Sequence, residues 1–263
     1  METMLYRELA PITDEAWKEI DERASEVLKN YLSARRVVKV TGPKGWEYNV
    51  VTEGRLENIV EEDDICYGTY KALPLVETRV EFDMNRWELD NLNRGAKDID
   101  YTPLEEAVKK IALFEENAIY NGLDKSYIKG ILQSAEGKVI TLGKDSVSVM
   151  NAISEGVLRL KSVYAEGPYT LIVGKDAYKT INSQDPSYPL KEKIKELIGG
   201  DIVFSFAIDG AVLVPYDHDD LELIIGKDFS IGYQSGDKKK VTLFVTESLT
   251  FRVLDPAIIV KYN

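Results

Sequence analysis

Residues 102 to 122, TPLEEAVKKIALFEENAIYNG, constrain this chain most, because start, repeat and stop signals agree there on one long helix. Thr102 offers an N-cap oxygen, Pro103 suits the first turn, where no N–H is needed, and Glu105 stands at the capping-box position. Gly122 supplies the stop. Leu104, Val108, Ile111, Phe114, Ala118 and Ile119 recur at steps of three and four, so an apolar stripe must be covered by other elements. Alternating strands lie on either side of this helix in sequence. The core therefore draws on both ends of the chain.

The order of the other elements follows from the same signals. Residues 13 to 32 form a first helix capped by Thr13, with Trp17, Ile20, Ala24, Val27, Leu28 and Tyr31 on one face. RRVVKV, 35 to 40, reads as a short strand before the turn TGPKGW. From 47 to 72 the chain offers two or three short strand-like runs, broken at Glu53-Gly54 and by the acidic cluster 61 to 64. That segment is too polar for a core of its own and is expected to project, as an arm that finds a neighbouring subunit. Residues 75 to 84 alternate strictly, with Val76, Val80, Phe82 and Met84 inward and Glu77, Arg79, Glu81 and Asp83 outward. Asn85 then caps a short helix carrying Trp87, Leu89 and Leu92.

After Gly122, strand and helix alternate. A helix at 146 to 164 precedes the strand YTLIVG, a helix from Asp176, the loop SQDPSYP and the helix LKEKIKELIGG, and DIVFSFAI and GAVLVPY suggest a hairpin about Asp209-Gly210. Residues 136 to 226 thus have their own apolar elements and form a candidate second lobe. VTLFVTESLTFRVL, 241 to 254, returns to alternation with Glu247 as its one inward charge, and AIIVKY gives a last strand.

Composition excludes several function classes. The 263 residues carry 45 acidic against 33 basic side chains, a net charge of −12 that disfavours nucleic acid or anionic membrane as a partner. The single cysteine, Cys66, rules out an intrachain disulfide, and with no apolar run of membrane-spanning length or signal-like start the expectation is a cytoplasmic protein. One histidine, His218, would have to serve any imidazole triad or histidine metal site, and PYDHDD reads as a solvated turn. Cys66 has no nearby cation in sequence to activate it, and the acids at 61 to 64 lack the spacing of a calcium loop. No catalytic and no metal-binding residue is therefore expected. Arg79 and Trp87 are a candidate pair for a planar anionic ligand, through charge and stacking. A strand of this length separates them, so sharing one ligand would need a fold-back or a second subunit, and an indole covering an interface is the plainer reading.

LAPIT before a helix with Trp17, GPKGWEY at 42 to 48, LPLVETRVEF and WELDNLNRG at 73 to 95, GPYTLIV at 167 to 173 and IGYQSGDKKKVTLFVTESLTFRVLDP at 231 to 256 together resemble the encapsulins, prokaryotic shell proteins that share the tailed-phage major capsid fold. The resemblance covers nearly the whole chain. It implies an α+β fold with a peripheral domain (1–46, 73–135 and 227–263), an extended β-hairpin loop (47–72) and an axial α/β domain (136–226). It further implies a homo-oligomeric icosahedral shell enclosing a ferritin-like protein or a dye-decolorizing peroxidase. The cargo's C-terminal peptide would bind an inner-wall surface on Leu28, Tyr31, Arg35, Val37, Lys39 and Phe251, where Lys39 stands in a place that is acidic in some related shells. Flavin (FMN-like) at Arg79 and Trp87 is implied by the same likeness. The loop at 183 to 189, with Asp185, Pro186, Ser187 and Tyr188, is expected to line a pore whose aspartate ring favours cations. The alternatives are a soluble enzyme or bacteriocin-like protease, and a phage capsid subunit.

Overall fold

A computed structural model describes residues 3–182 and 189–263. In chain order the elements are α1 (Asp14–Tyr31), β1 (Lys39–Thr41), β2 (Val50–Glu62), β3 (Ile65–Pro74), β4 (Val76–Asn85), α2 (Arg86–Asn93) and α3 (Thr102–Tyr120). They continue as α4 (Ile131–Ser134), α5 (Ser146–Ser162), β5 (Tyr169–Val173), α6 (Lys175–Asn182), α7 (Leu190–Ile198), β6 (Ile202–Phe204), β7 (Ala211–Pro215), β8 (Leu221–Ile225), β9 (Ser230–Gly236), β10 (Lys240–Val253) and β11 (Val260–Tyr262).

The helix α3 forms where expected, but its start is built differently. Thr102 is already helical, and its N–H donates to Asp100 Oδ1 at 3.0 Å, so Asp100 does the work expected of Thr102. Glu105 does not close a capping box. It accepts from Arg23 Nε at 2.7 Å and so ties α3 to α1. Around Leu104, Val108 and Ile111 pack Trp17, Ile20 and Ala24 of α1, Phe82 and Met84 of β4, and Val241, Leu243 and Val245 of β10. The long-range core follows directly from an apolar stripe that no neighbouring segment can cover.

The 14-residue β10 is the axis of a five-stranded sheet. Along one edge it pairs antiparallel with β4, Lys240↔Asn85 to Leu249↔Val76. On the other, β9 and then β8 take successive halves, and β1 closes the sheet parallel to β8. β10 is buried on both faces. Its inward set is apolar except for Glu247, and on the other face Thr246 Oγ1 donates to the Thr78 carbonyl at 2.7 Å while Ser248 Oγ accepts from the Lys227 N–H at 2.8 Å.

The second sheet runs β11-β7-β5-β6. Here the expected hairpin about Asp209-Gly210 does not form, because β5, buried at every residue, lies between its two runs, parallel to β6 and antiparallel to β7. A strand with no solvent face gains most from a central position. Strand pairing also crosses the boundaries expected from sequence: β8 joins the five-stranded sheet, and β11, from the chain's end, pairs with β7. RRVVKV is not one strand either. Ala34–Arg36 form a single 3-10 turn, and only Lys39–Thr41 pair.

β2 and β3 form a separate ribbon. The break read at Glu53-Gly54 is a register shift between Thr52 and Leu56, with Gly54 at φ 68°, and a second shift follows between Glu57 and Val60. Only Val51 and Leu73, at its base, are buried, against Ile224. Twelve residue steps of β2 at about 3.3 Å each carry the tip roughly 40 Å from that base. Contrary to the expectation of a polar arm, the ribbon exposes Leu56, Ile59, Val60, Ile65, Tyr67 and Tyr70.

Candidate functional site

A cavity of about 620 Å³ opens between α1 and the segment from Asp228 to Ile231. Its wall is apolar, from Leu5, Ala24, Leu28, Leu32, Phe229, Ile231 and Val245. Two charge pairs sit in that wall. Arg7 donates to Asp21 Oδ2 at 2.9 Å and to the Ile231 carbonyl at 2.8 Å, with its guanidinium 4.1 Å above the Trp17 ring. Arg35 donates to Asp228 Oδ1 at 2.8 Å and lies 4.7 Å over Phe229. Lys29 and Arg36 are the remaining cations of the lining.

Beneath the cavity lies a buried acidic cluster. Arg35 also donates from Nη2 to Glu115 Oε2 at 2.6 Å and reaches Glu247 Oε2 at 3.4 Å, and both glutamates are fully buried. Burial first, then the charge of Glu115 and a hydrogen bond to it, push the Glu247 carboxyl well above the usual carboxylate range. Its Oε1 has no hydrogen-bond partner. Burial lowers the Arg35 guanidinium, but hydrogen bonding to Glu115 and its charge, with Asp228, more than offset that and raise it. Next along α3, Glu116 accepts from the Ala34 N–H at 2.7 Å, from Ser205 Oγ at 3.1 Å and from Ser33 Oγ. Burial pushes Glu116 up to about 7 against the lowering effect of those donors, and burial together with Glu116 raises Tyr120. These bonds fix the 3-10 turn at Ala34–Arg36 and tie α3 to the segment after β6.

Of the residues expected on a peptide-binding surface, the structure brings Leu28 and Arg35 to the cavity. Val37 and Phe251 are core residues with 0% and 1% exposure and offer a peptide no surface. Tyr31 turns to Phe206, ring centroids 5.1 Å apart, and Lys39 pairs with Asp219 at the sheet edge. Arg7, Asp21, Lys29, Asp228 and Phe229 escaped sequence reading because the pairing of Arg7 with residue 231 spans the chain. Glu115 and Glu116 did leave a signal. Each stands four residues from an apolar stripe position on either side, Ile111 and Ile119 for one, Ala112 and Tyr120 for the other.

Profile comparison matches residues 1–250 to the family described as "Encapsulating protein for peroxidase". The type 1 encapsulin shell protein of Mycobacterium tuberculosis is 36% identical over 249 residues, covering 94% of each chain. The chain belongs to the encapsulin family. Its fold is that of tailed-phage capsids and their relatives: a virus-like particle from Pyrococcus furiosus superposes with TM-score 0.68 at 20% identity, covering 92% of this chain and 97% of the other. The capsid of Myoviridae phage XM1 gives 0.57 at 13% identity, covering 87% and 90%. That encapsulin relatives are named as shell proteins supports a structural, non-enzymatic role.

The remaining candidates are surface features. Arg79 stacks 4.1 Å over Phe244 and lies 3.7 Å from Glu77, while Trp87 is 65% exposed with Arg94 as its neighbour at 5.8 Å. β4 is unbroken between them, about 20 Å of strand, so within one chain they form no cradle for a flavin ring. Asp185, Pro186, Ser187 and Tyr188 lie outside the described residues. His218 Nδ1 accepts from the Asp220 N–H at 3.2 Å in a half-exposed turn, Cys66 is exposed on the ribbon, and among the described residues no His, Cys, Asp and Glu cluster fits a metal ion. No helix among them is long and apolar enough to cross a membrane.

Proposed function

We propose that this chain is the subunit of a closed icosahedral shell that encloses an enzyme, a peroxidase or a ferritin-like protein, by holding a C-terminal cargo peptide in the cavity beside α1. The ribbon carries the shell reading: it exposes Leu56, Ile59, Val60, Ile65, Tyr67 and Tyr70 and buries nothing beyond its base. A two-stranded ribbon is marginal alone, and a run of apolar side chains this long marks a surface that another molecule covers. Family membership supports a second copy as that molecule. The alternative of a protease or other hydrolase that depends on a histidine lacks support, since His218 is the only histidine and sits in a turn with Asp220.

The cavity carries the cargo reading. Its apolar wall with charged pairs at the rim suits a short peptide with aliphatic anchors. Thr52 and Ala72 face each other, so residues 53–71 can be replaced by Asn-Gly without changing the base. The shortened chain should fold but stay dispersed, and closed particles of normal stability would overturn the shell reading. Leu28→Asp should leave the particles intact and abolish loading of a reporter fused to the cargo's C-terminal peptide, whereas undiminished loading would place the peptide elsewhere.

A further inference from the structure

We infer that Arg35 couples the cavity beside α1 to the carboxyl beneath it, so that the charge a bound peptide meets depends on whether the buried Glu247 holds its proton; the inference rests on reading the cavity as the cargo site. Arg35 stands at the junction. It lines the cavity half-buried, and on that side its Nη1 donates to Asp228 Oδ1 at 2.8 Å. On the buried side its Nε and Nη2 donate to Glu115 at 2.9 Å and 2.6 Å, and Nη2 lies 3.4 Å from Glu247 Oε2. Asp228 also lines the cavity and is half-buried, within reach of a ligand. One guanidinium thus serves three carboxyls, two of them removed from water.

That arrangement disfavours a charge on Glu247. Its Oε1 has no hydrogen-bond partner, Glu115 is its neighbour, and the cation beside it is already shared with Glu115 and Asp228. A second anion next to the first, both away from water, is poorly compensated, so the Glu247 proton leaves at a higher pH than that of a carboxyl in water. Burial and Glu115 act in that direction and Arg35 acts against it. The elements packed around Glu247 are accounted for: α3 brings Glu115, the turn after α1 brings Arg35, the segment before β9 brings Asp228, and β4 sets the uncharged Thr78 opposite. Glu116, next along α3, is turned instead to Ser33, Ser205 and the Ala34 N–H. Arg7 with Asp21, Lys29 and Arg36 complete the charged lining of the cavity. When the Glu247 proton goes to solvent, the guanidinium is drawn toward the buried pair and its bond to Asp228 weakens, so the cavity gains negative charge. Above that pH a peptide with a basic residue among its aliphatic anchors is favoured, and below it one with an acidic residue.

Peptide binding to the full-length chain tests this by fluorescence anisotropy between about pH 5.5 and about 9, a range that spans documented buried glutamates. The probes are a labelled, end-capped peptide with lysine among leucines and the same peptide with glutamate in place of the lysine. As pH rises, the lysine peptide should bind about fivefold more tightly and the glutamate peptide about fivefold more weakly, as one added charge near the site requires. Glu247→Gln should bind both peptides with neither trend, whereas Glu116→Gln should keep both trends. Asp228→Asn should shrink them, and it stands in for Glu247→Gln if circular dichroism shows that variant unfolded. Wild-type affinities that do not move in opposite directions would overturn the coupling. So would trends that survive Glu247→Gln or are unchanged in Asp228→Asn, or trends lost in Glu116→Gln. If the wild type binds neither peptide at any pH, or Leu28→Asp binds both as well as the wild type does, the cargo reading of the cavity fails first and the coupling falls with it.

Discussion

Glu115, Glu116 and Glu247 are wholly buried and find Arg35, Ser33, Ser205 and the Ala34 N–H inside the chain, whereas Glu61, Glu62, Asp63 and Asp64 lie exposed with no ion pair among the described residues. The same chemical groups are thus met by donors in one region, Glu247 Oε1 excepted, and left to solvent in the other. Removing a carboxylate from water costs several kcal/mol, which only well-placed donors offset. Where α1, α3 and β10 meet, those donors come from residues 80 or more positions away, and the cluster locks a single subunit fold. At the ribbon tip the Tyr67 hydroxyl donates to Glu62 at 3.2 Å, and no cation among the described residues meets the four carboxylates.

Substitutions can break this comparison at either end. The largest effect is expected from Arg35→Met, which leaves Glu115 and Glu247 buried without their cation and should cost about 3–5 kcal/mol in urea unfolding of the dispersed subunit. A loss under about 1 kcal/mol would mean that the cluster does not depend on Arg35.

Glu116 sharpens the same point through pH. Its folded value of about 7 lies above the ordinary 4.5, so the native state holds the proton more tightly than the unfolded chain. The stability this contributes is fully present below 4.5 and is lost as pH rises through about 7. The fall should be about 3 kcal/mol for the subunit. Glu116→Gln keeps an acceptor for the Ala34 N–H, offers an amide to the two serines, and should flatten that profile. An unchanged slope would assign the pH dependence to another group. Glu247→Gln puts an isosteric amide in place of a carboxyl whose proton is held more tightly by burial and by Glu115, and should cost about 1 kcal/mol or less. A loss as large as that of Arg35→Met would show Glu247 to be ionised.

At the solvent-facing end the subunit should barely respond. Glu62→Gln with Asp63→Asn should leave the unfolding midpoint of the dispersed subunit unmoved, and a shifted midpoint would show that the tip is part of the subunit's own fold.

How much of this was legible in the sequence follows from the range of the interactions. The α3 helix and the alternation of β4 and β10 are local, and Leu104, Val108, Ile111, Phe82 and Leu243 fall where their spacing puts them. The hairpin about Asp209-Gly210 failed because two runs that looked adjacent are separated by β5, a pairing that local turn chemistry does not encode. The cavity was half legible. Leu28 and Arg35 lie on elements that read correctly or nearly so, while Asp228 and Phe229 reach it only through the pairing of β9 with β10. Val37 and Phe251 were misread as surface because position along an element says little about which neighbour covers it.

The central claim is that this fold is completed only by copies of itself. Negative-stain microscopy of the purified full-length chain at near-physiological salt tests it most directly: uniform closed particles are expected, and a field of dispersed subunits from correctly folded protein would contradict it.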